Sequence, residues 1–83
     1  GIYATALGVL SAATGASSTA IGDSPTASGA SATALGNRVI ASGDESHALG
    51  NYASTNGKMG SMVLGDNSTT TVMNSANASD LSA

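Results

Sequence analysis

Glycine returns at every seventh position along this chain, at Gly1, Gly8, Gly15, Gly22, Gly29, Gly36, Gly43, Gly50 and Gly57. Nine of the eleven glycines share that one register, so an internal repeat governs the fold. Two residues before the glycines stand Ala6, Ala13, Ala20, Ala27, Ala34, Ala41 and Ala48, then Thr55. The residue just before glycine alternates in kind. Leu7, Ile21, Leu35 and Leu49 form one set, and Thr14, Ser28, Ser42 and Asn56 the other. The period is therefore 14 residues, built from two related halves of seven. Spacing by seven also suggests a coiled coil, but heptads need apolar a and d positions. A glycine inside a helix costs about 1 kcal/mol, and one every second turn is not tolerated. The period predicts an all-β fold, a solenoid of 14-residue coils.

Each half reads as a strand of about five residues, such as Ser18 to Gly22, followed by two turn residues. The turn pairs are Asp23-Ser24, Ala30-Ser31, Asn37-Arg38, Asp44-Glu45 and Asn51-Tyr52. Gly followed by Asn or Asp suits the backbone angles of a tight corner. Gly8, Gly15, Gly22, Gly29, Gly36, Gly43, Gly50 and Gly57 are accordingly assigned to the turns. The charges Asp23, Arg38, Asp44, Glu45, Lys58 and Asp66 fall in turn positions of the same frame. Pro25 opens its strand, where a missing N–H does least harm.

Successive strand side chains point to opposite faces. Ser18, Ala20 and Gly22 thus share one face, and Thr19 and Ile21 the other. The first face is small in nearly every half. It predicts that Ala6, Ala13, Ala20, Ala27, Ala34, Ala41 and Ala48 line the interior of a flattened roll. Its sheets would lie closer than the ~10 Å of an ordinary sandwich. The outer face of one half carries Thr5/Leu7, Thr19/Ile21, Thr33/Leu35, His47/Leu49 and Met62/Leu64. The other half presents Ala12/Thr14, Thr26/Ser28, Ile40/Ser42 and Ser54/Asn56, which is polar. The Val39-Ile40 pair reads there as scattered surface apolars.

An aliphatic row on the outside of a roll marks an interface. The composition asks for one, because the chain has two aromatics and no Phe, Trp or Cys. Ordering so many backbones costs on the order of 100 kcal/mol, and alanine and serine bury little apolar area against it. Covering each Leu or Ile contributes about 1.5–3 kcal/mol, so the ladder argues for obligate association. Charged residues make up 8% of the chain and the net charge is −3, which leaves no basic footprint for nucleic acid. No apolar run reaches the ~20 residues of a membrane helix. No signal peptide is visible at the start, which suggests a piece of a longer protein.

The units Ser18-Thr-Ala-Ile-Gly-Asp-Ser-Pro-Thr-Ala-Ser-Gly29 and Ala32-Thr-Ala-Leu-Gly-Asn-Arg-Val-Ile-Ala-Ser-Gly43 resemble the head repeats of YadA-like trimeric autotransporter adhesins. Those repeats carry a Ser-x-Ala-Ile/Leu-Gly core followed by a more polar Ala-x-Gly half. The resemblance covers residues 1–65. It implies a left-handed parallel β-roll and a homotrimer with Leu7, Ile21, Leu35, Leu49, Leu64, Thr5, Thr19, Thr33, His47 and Met62 at the interface. It also implies a place on the bacterial surface, anchored to the outer membrane through a C-terminal anchor outside this segment. The expected partners are further copies of itself and host extracellular matrix, host cells or other bacteria, with no catalysis and no cofactor. A structural spacer in an adhesin fibre is the alternative.

The pattern departs from the repeat near its end. Gly57 to Gly65 spans eight residues, which reads as an insertion at Met59-Gly60, with Val63 replacing alanine. Residues 66–83 keep no glycine register and read as a degraded coil or the approach to a neck.

Single residues add little. Three copies of His47 could meet on a trimer axis and hold an ion, but a lone histidine without carboxylate or thiolate partners reads better as packing. No triad, nucleophile elbow or phosphate loop is present. Asp44-Glu45 reads as a turn pair rather than a cation site. Asn67-Ser-Thr and Asn77-Ala-Ser fit a glycosylation pattern that carries little weight in a bacterial protein. An ice-binding solenoid would need regular Thr-x-Thr rows, which this outer face lacks. Acyltransferase β-helices coil in hexapeptides, which does not match a period of seven.

Overall fold

The computed structural model describes residues 1–66 and 80–81. It is a parallel β-solenoid whose coils stack in register at intervals of 14 residues, Thr5 on Thr19, Thr19 on Thr33 and Thr33 on His47. Five long strands form one wall: β1 (Thr5–Val9), β3 (Thr19–Asp23), β5 (Thr33–Asn37), β7 (His47–Asn51) and β8 (Met62–Asp66). The opposite wall holds the short strands β2 (Ala12–Ala13), β4 (Thr26–Ala27) and β6 (Ile40–Ala41), extended by a bridge from Ile40 to Ser54. The backbone of β9 (Asp80–Leu81) adds a sixth parallel strand beside β8. The expectation of a degraded coil or neck over residues 66–83 otherwise lies outside the described residues.

The two seven-residue halves are not equivalent. One half makes a five-residue strand and the other a two-residue strand. The long strand also runs one residue later than expected, so Asp23 and Asn37 end strands instead of opening turns. The corner falls on the next residue. Tyr3, Leu10, Ser17, Ser24, Ser31, Arg38, Glu45 and Tyr52, again seven apart, all have φ between 55° and 61°. Non-glycine residues in this left-handed region are uncommon. Here coil-to-coil bonds hold them in place: Ser31 N–H donates to Ala16 O, Arg38 N–H to Asp23 O and Glu45 N–H to Ala30 O, each at 2.7 Å.

The interior consists of four columns of small side chains. Ser18, Ala32, Ser46 and Ser61 form one column, and Ala20, Ala34, Ala48 and Val63 another, all buried. Pro25, Val39 and Ala53 form the third, and Ala27, Ala41 and Thr55 the fourth, also buried. Ala13 is half-buried and Ala6 exposed, because β2 and β1 are edge strands of their sheets. Val39 is therefore a core residue, which corrects the surface reading of the Val39-Ile40 pair; Ile40 faces out and is 42% exposed. Interior hydroxyls are satisfied locally, as buried polar groups require. Ser18 Oγ donates to Gly15 O at 2.7 Å, and Ser46 Oγ to Gly43 O at 2.6 Å. Proline fits the third column because the matching N–H groups of Val39 and Ala53 make no coil-to-coil backbone bond among the described residues.

One coil is a residue longer, and the extra residue is not at Met59-Gly60. Beyond β7 the register shifts to 15, with Ala48 on Val63. Gly60, at φ 68°, takes the corner role of Glu45. The insertion lies at Asn56 and Gly57, whose φ values of 55° and 72° are both positive. Lys58 N–H donates back to Thr55 O at 3.0 Å and closes a tight turn. Asn-Gly is the pair that such a turn favours.

This turn diverts a carbonyl. In the preceding coils Thr14 and Gly15 N–H both donate to Ala27 O, and Ser28 and Gly29 N–H both donate to Ala41 O. Ser42 and Gly43 N–H instead donate to Thr55 Oγ1, at 3.0 and 3.5 Å, and Thr55 Oγ1 donates to Ser46 Oγ at 3.2 Å. A threonine hydroxyl thus stands in for the missing backbone acceptor. Restoring the repeat's own alanine by Thr55→Ala should destabilise the protein by about 1–3 kcal/mol, the cost of orphaning buried donors. Thr55→Ser should retain most of the stability. Urea denaturation at fixed protein concentration measures both.

Candidate interaction surface

The structure divides the repeat glycines into two kinds. Gly8, Gly22, Gly36 and Gly50 lie inside β1, β3, β5 and β7 rather than in turns, with Gly65 above them in β8. Their φ values lie between 117° and 133°, where a side chain is strained. A Cβ on any of the first four would fall on the carbonyl oxygen of the glycine in the next coil. Gly15, Gly29 and Gly43 open the turns, and a Cβ there would also strike the next coil's backbone. Gly57 differs, because Lys58 occupies its place above Gly43 and nothing lies within 4 Å of a Cβ built on it.

Glycine therefore permits close stacking, and stacking aligns the outer side chains into rows. Leu7, Ile21, Leu35, Leu49 and Leu64 are consecutive register partners on the long-strand wall. Leu7 is 58% exposed on the edge strand, and Ile21, Leu35, Leu49 and Leu64 are half-buried. Beside them runs Thr5, Thr19, Thr33, His47 and Met62, with Thr5 and Met62 exposed and the middle three half-buried. His47 sits between Thr33 and Met62 in this row. No group of three or more His, Cys, Asp or Glu side chains suited to a metal occurs among the described residues.

The row that ends the long strands carries an amide ladder which the sequence frame placed in turns. Asn37 Nδ2 donates to Asn51 Oδ1 at 3.1 Å, and Asn51 Nδ2 donates to Asp66 Oδ1 at 3.0 Å. At the adjoining corner the Arg38 guanidinium lies 5.7 Å from the centre of the Tyr52 ring, within cation–π range. Aligning Asp23, Asn37 and Asn51 at the 14-residue period is the signal that exposes the ladder. No pocket forms among the described residues. The chemistry on offer is a patterned surface, with an aliphatic row on one wall and mainly hydroxyl-bearing side chains, interrupted by Ile40, on the other.

The two kinds of glycine predict a measurable contrast. Gly22→Ala should cost about 2–4 kcal/mol, combining backbone strain with a clash that only coil separation relieves. Gly57→Ala should cost about 1 kcal/mol, the strain of a left-handed alanine alone. Thermal or urea midpoints at one protein concentration check the order.

Neither a curated protein nor a solved structure matches the chain. A family model does match: the YadA head domain repeat, in two copies, over residues 1–24 and 41–68. These spans cover more than half of the chain and bracket the coils whose alanine, glycine and aliphatic columns are described above. The chain belongs to the YadA head domain repeat family.

Proposed function

We propose that this chain is the head of a trimeric autotransporter adhesin, a non-catalytic module in which three left-handed rolls pack side by side. Residues 1–65 form the head, and residues 66–83 are a degraded coil or the approach to a neck or stalk. The observation that carries the reading is the row of Ile21, Leu35, Leu49 and Leu64. It lies only half-buried in a single chain, beside the threonines and His47, while the opposite wall carries Thr26, Ser28, Ser42 and Ser54 with Ile40 as an isolated apolar rung. A lone roll with an alanine interior leaves this aliphatic surface wet. Covering each of these side chains contributes about 1.5–3 kcal/mol. Family membership supports the same assembly and a place on the bacterial surface.

In that arrangement the interface takes Leu7, Ile21, Leu35, Leu49, Leu64, Thr5, Thr19, Thr33, His47 and Met62. Corners and short strands face outward to meet host matrix, host cells or other bacteria. Binding is spread over many weak contacts, as suits a surface with no pocket among the described residues.

Light scattering should give the mass of three chains for the wild type and for Ser28→Asp on the short-strand side. Leu35→Asp should give the mass of one chain or an unfolded protein, because its carboxylate would be buried without a partner. A folded wild-type monomer would overturn the assembly. Solid-phase binding of the trimer to collagen, fibronectin, laminin or cell surfaces tests adhesion. Failure to bind any of them would leave the head as a spacer for another adhesive domain.

A further inference from the structure

The geometry points to Asn56-Gly57 as a site of spontaneous deamidation, set apart from the other asparagines of the coil stack. In this reaction the Gly57 backbone nitrogen gives its proton to water or hydroxide and attacks Cγ of Asn56. A bond forms between that nitrogen and Cγ, the Cγ–Nδ2 bond breaks, and ammonia leaves. The resulting succinimide takes up one water at either carbonyl and opens to aspartate or isoaspartate. Nothing is oxidised or reduced, and the sum is amide plus water giving acid plus ammonia.

Three observations single out this asparagine. Its carboxamide makes no hydrogen bond among the described residues, whereas the amides of Asn37 and Asn51 are held in the ladder. The following residue is glycine, with nothing within 4 Å of its Cβ direction, and both Asn56 and Gly57 are exposed. Asn37 and Asn51 are instead followed by the larger Arg38 and Tyr52, whose backbone N–H groups donate to Asp23 O at 2.7 Å and Asn37 O at 2.8 Å.

The turn also has room for the product, alone among the repeat glycines from Gly1 to Gly57. Isoaspartate inserts an extra carbon into the main chain, which the tightly stacked glycine rows cannot take. The Asn56-Gly57 turn is already an insertion outside the register, in which no carbonyl of the next coil meets Gly57. One contact opposes the reaction: Gly57 N–H donates to Ser42 Oγ at 2.7 Å and partly restrains the nitrogen. The product adds one negative charge immediately beside Lys58.

The test incubates the assembled full chain at mildly alkaline pH and follows each asparagine by peptide mapping. A methyltransferase specific for isoaspartate identifies the product. Amide-to-acid conversion at Asn56 should outpace that at Asn37 and Asn51 severalfold and give mostly isoaspartate. Gly57→Ala, which leaves the coils stacked, should slow it severalfold by crowding the nitrogen. Asn56 remaining amidated as long as Asn37 and Asn51, or a Gly57→Ala protein converting as fast as wild type, would overturn the assignment.

Discussion

Everything in this fold depends on how closely one coil can lie on the next. The in-strand glycines sit at φ values a side chain resists, with the carbonyl of the coil above where a Cβ would be. That approach brings coil-to-coil N–H and C=O groups into bonding range, including at corners where ordinary proteins turn to water. An interior of alanine and serine supplies little apolar burial, so these bonds must be numerous and well formed. A chain with few aromatics and few charges can fold on those terms because its backbone, more than its side chains, is the principal adhesive.

The broken coil shows how strictly that condition is enforced. An extra residue at Asn56-Gly57 turns one carbonyl away, and two N–H groups of the coil below lose their usual acceptor. The alanine of that column has become Thr55, whose hydroxyl occupies the vacancy. Lys58 stands in the place of a glycine there. The deviations from the repeat are therefore correlated, each one answering a change in the hydrogen-bond pattern.

The period, the parallel coils and the division between small and aliphatic faces were legible because they follow from two-residue alternation inside a fixed repeat. What escaped the sequence depended on distances across coils. Seven-residue symmetry made the halves look alike, and nothing in Ala27 or Ala41 shows that their strands are only two residues long. Gly22 and Gly36 read as turn glycines because glycine beside Asn or Asp ordinarily marks a corner. Their real constraint is the backbone of the next coil, which has no local signature. Val39 reads as a surface apolar for a similar reason: its inward direction follows from Pro25 and Ala53 above and below it, not from its neighbours in sequence. Gly57 continues the count of seven and so points to an insertion at Met59-Gly60, although the Asn56-Gly57 pair is the better turn signal.

The same stacking gives the described coils a patterned surface, although no pocket forms among them. Rigid in-register coils repeat each outward position into a row, so a single choice at one repeat position becomes a long stripe. Leucine and isoleucine at the position before the in-strand glycine produce an apolar stripe, and serine at the matching position of the other half produces a polar one. Changing one residue alters only one rung of such a stripe, whereas changing the preference of a repeat position alters a whole face. The character of a face on this scaffold is consequently set by entire rows, and an interface built on such a row would be broken most cleanly by a charge placed mid-row, where neighbouring rungs leave no path to solvent.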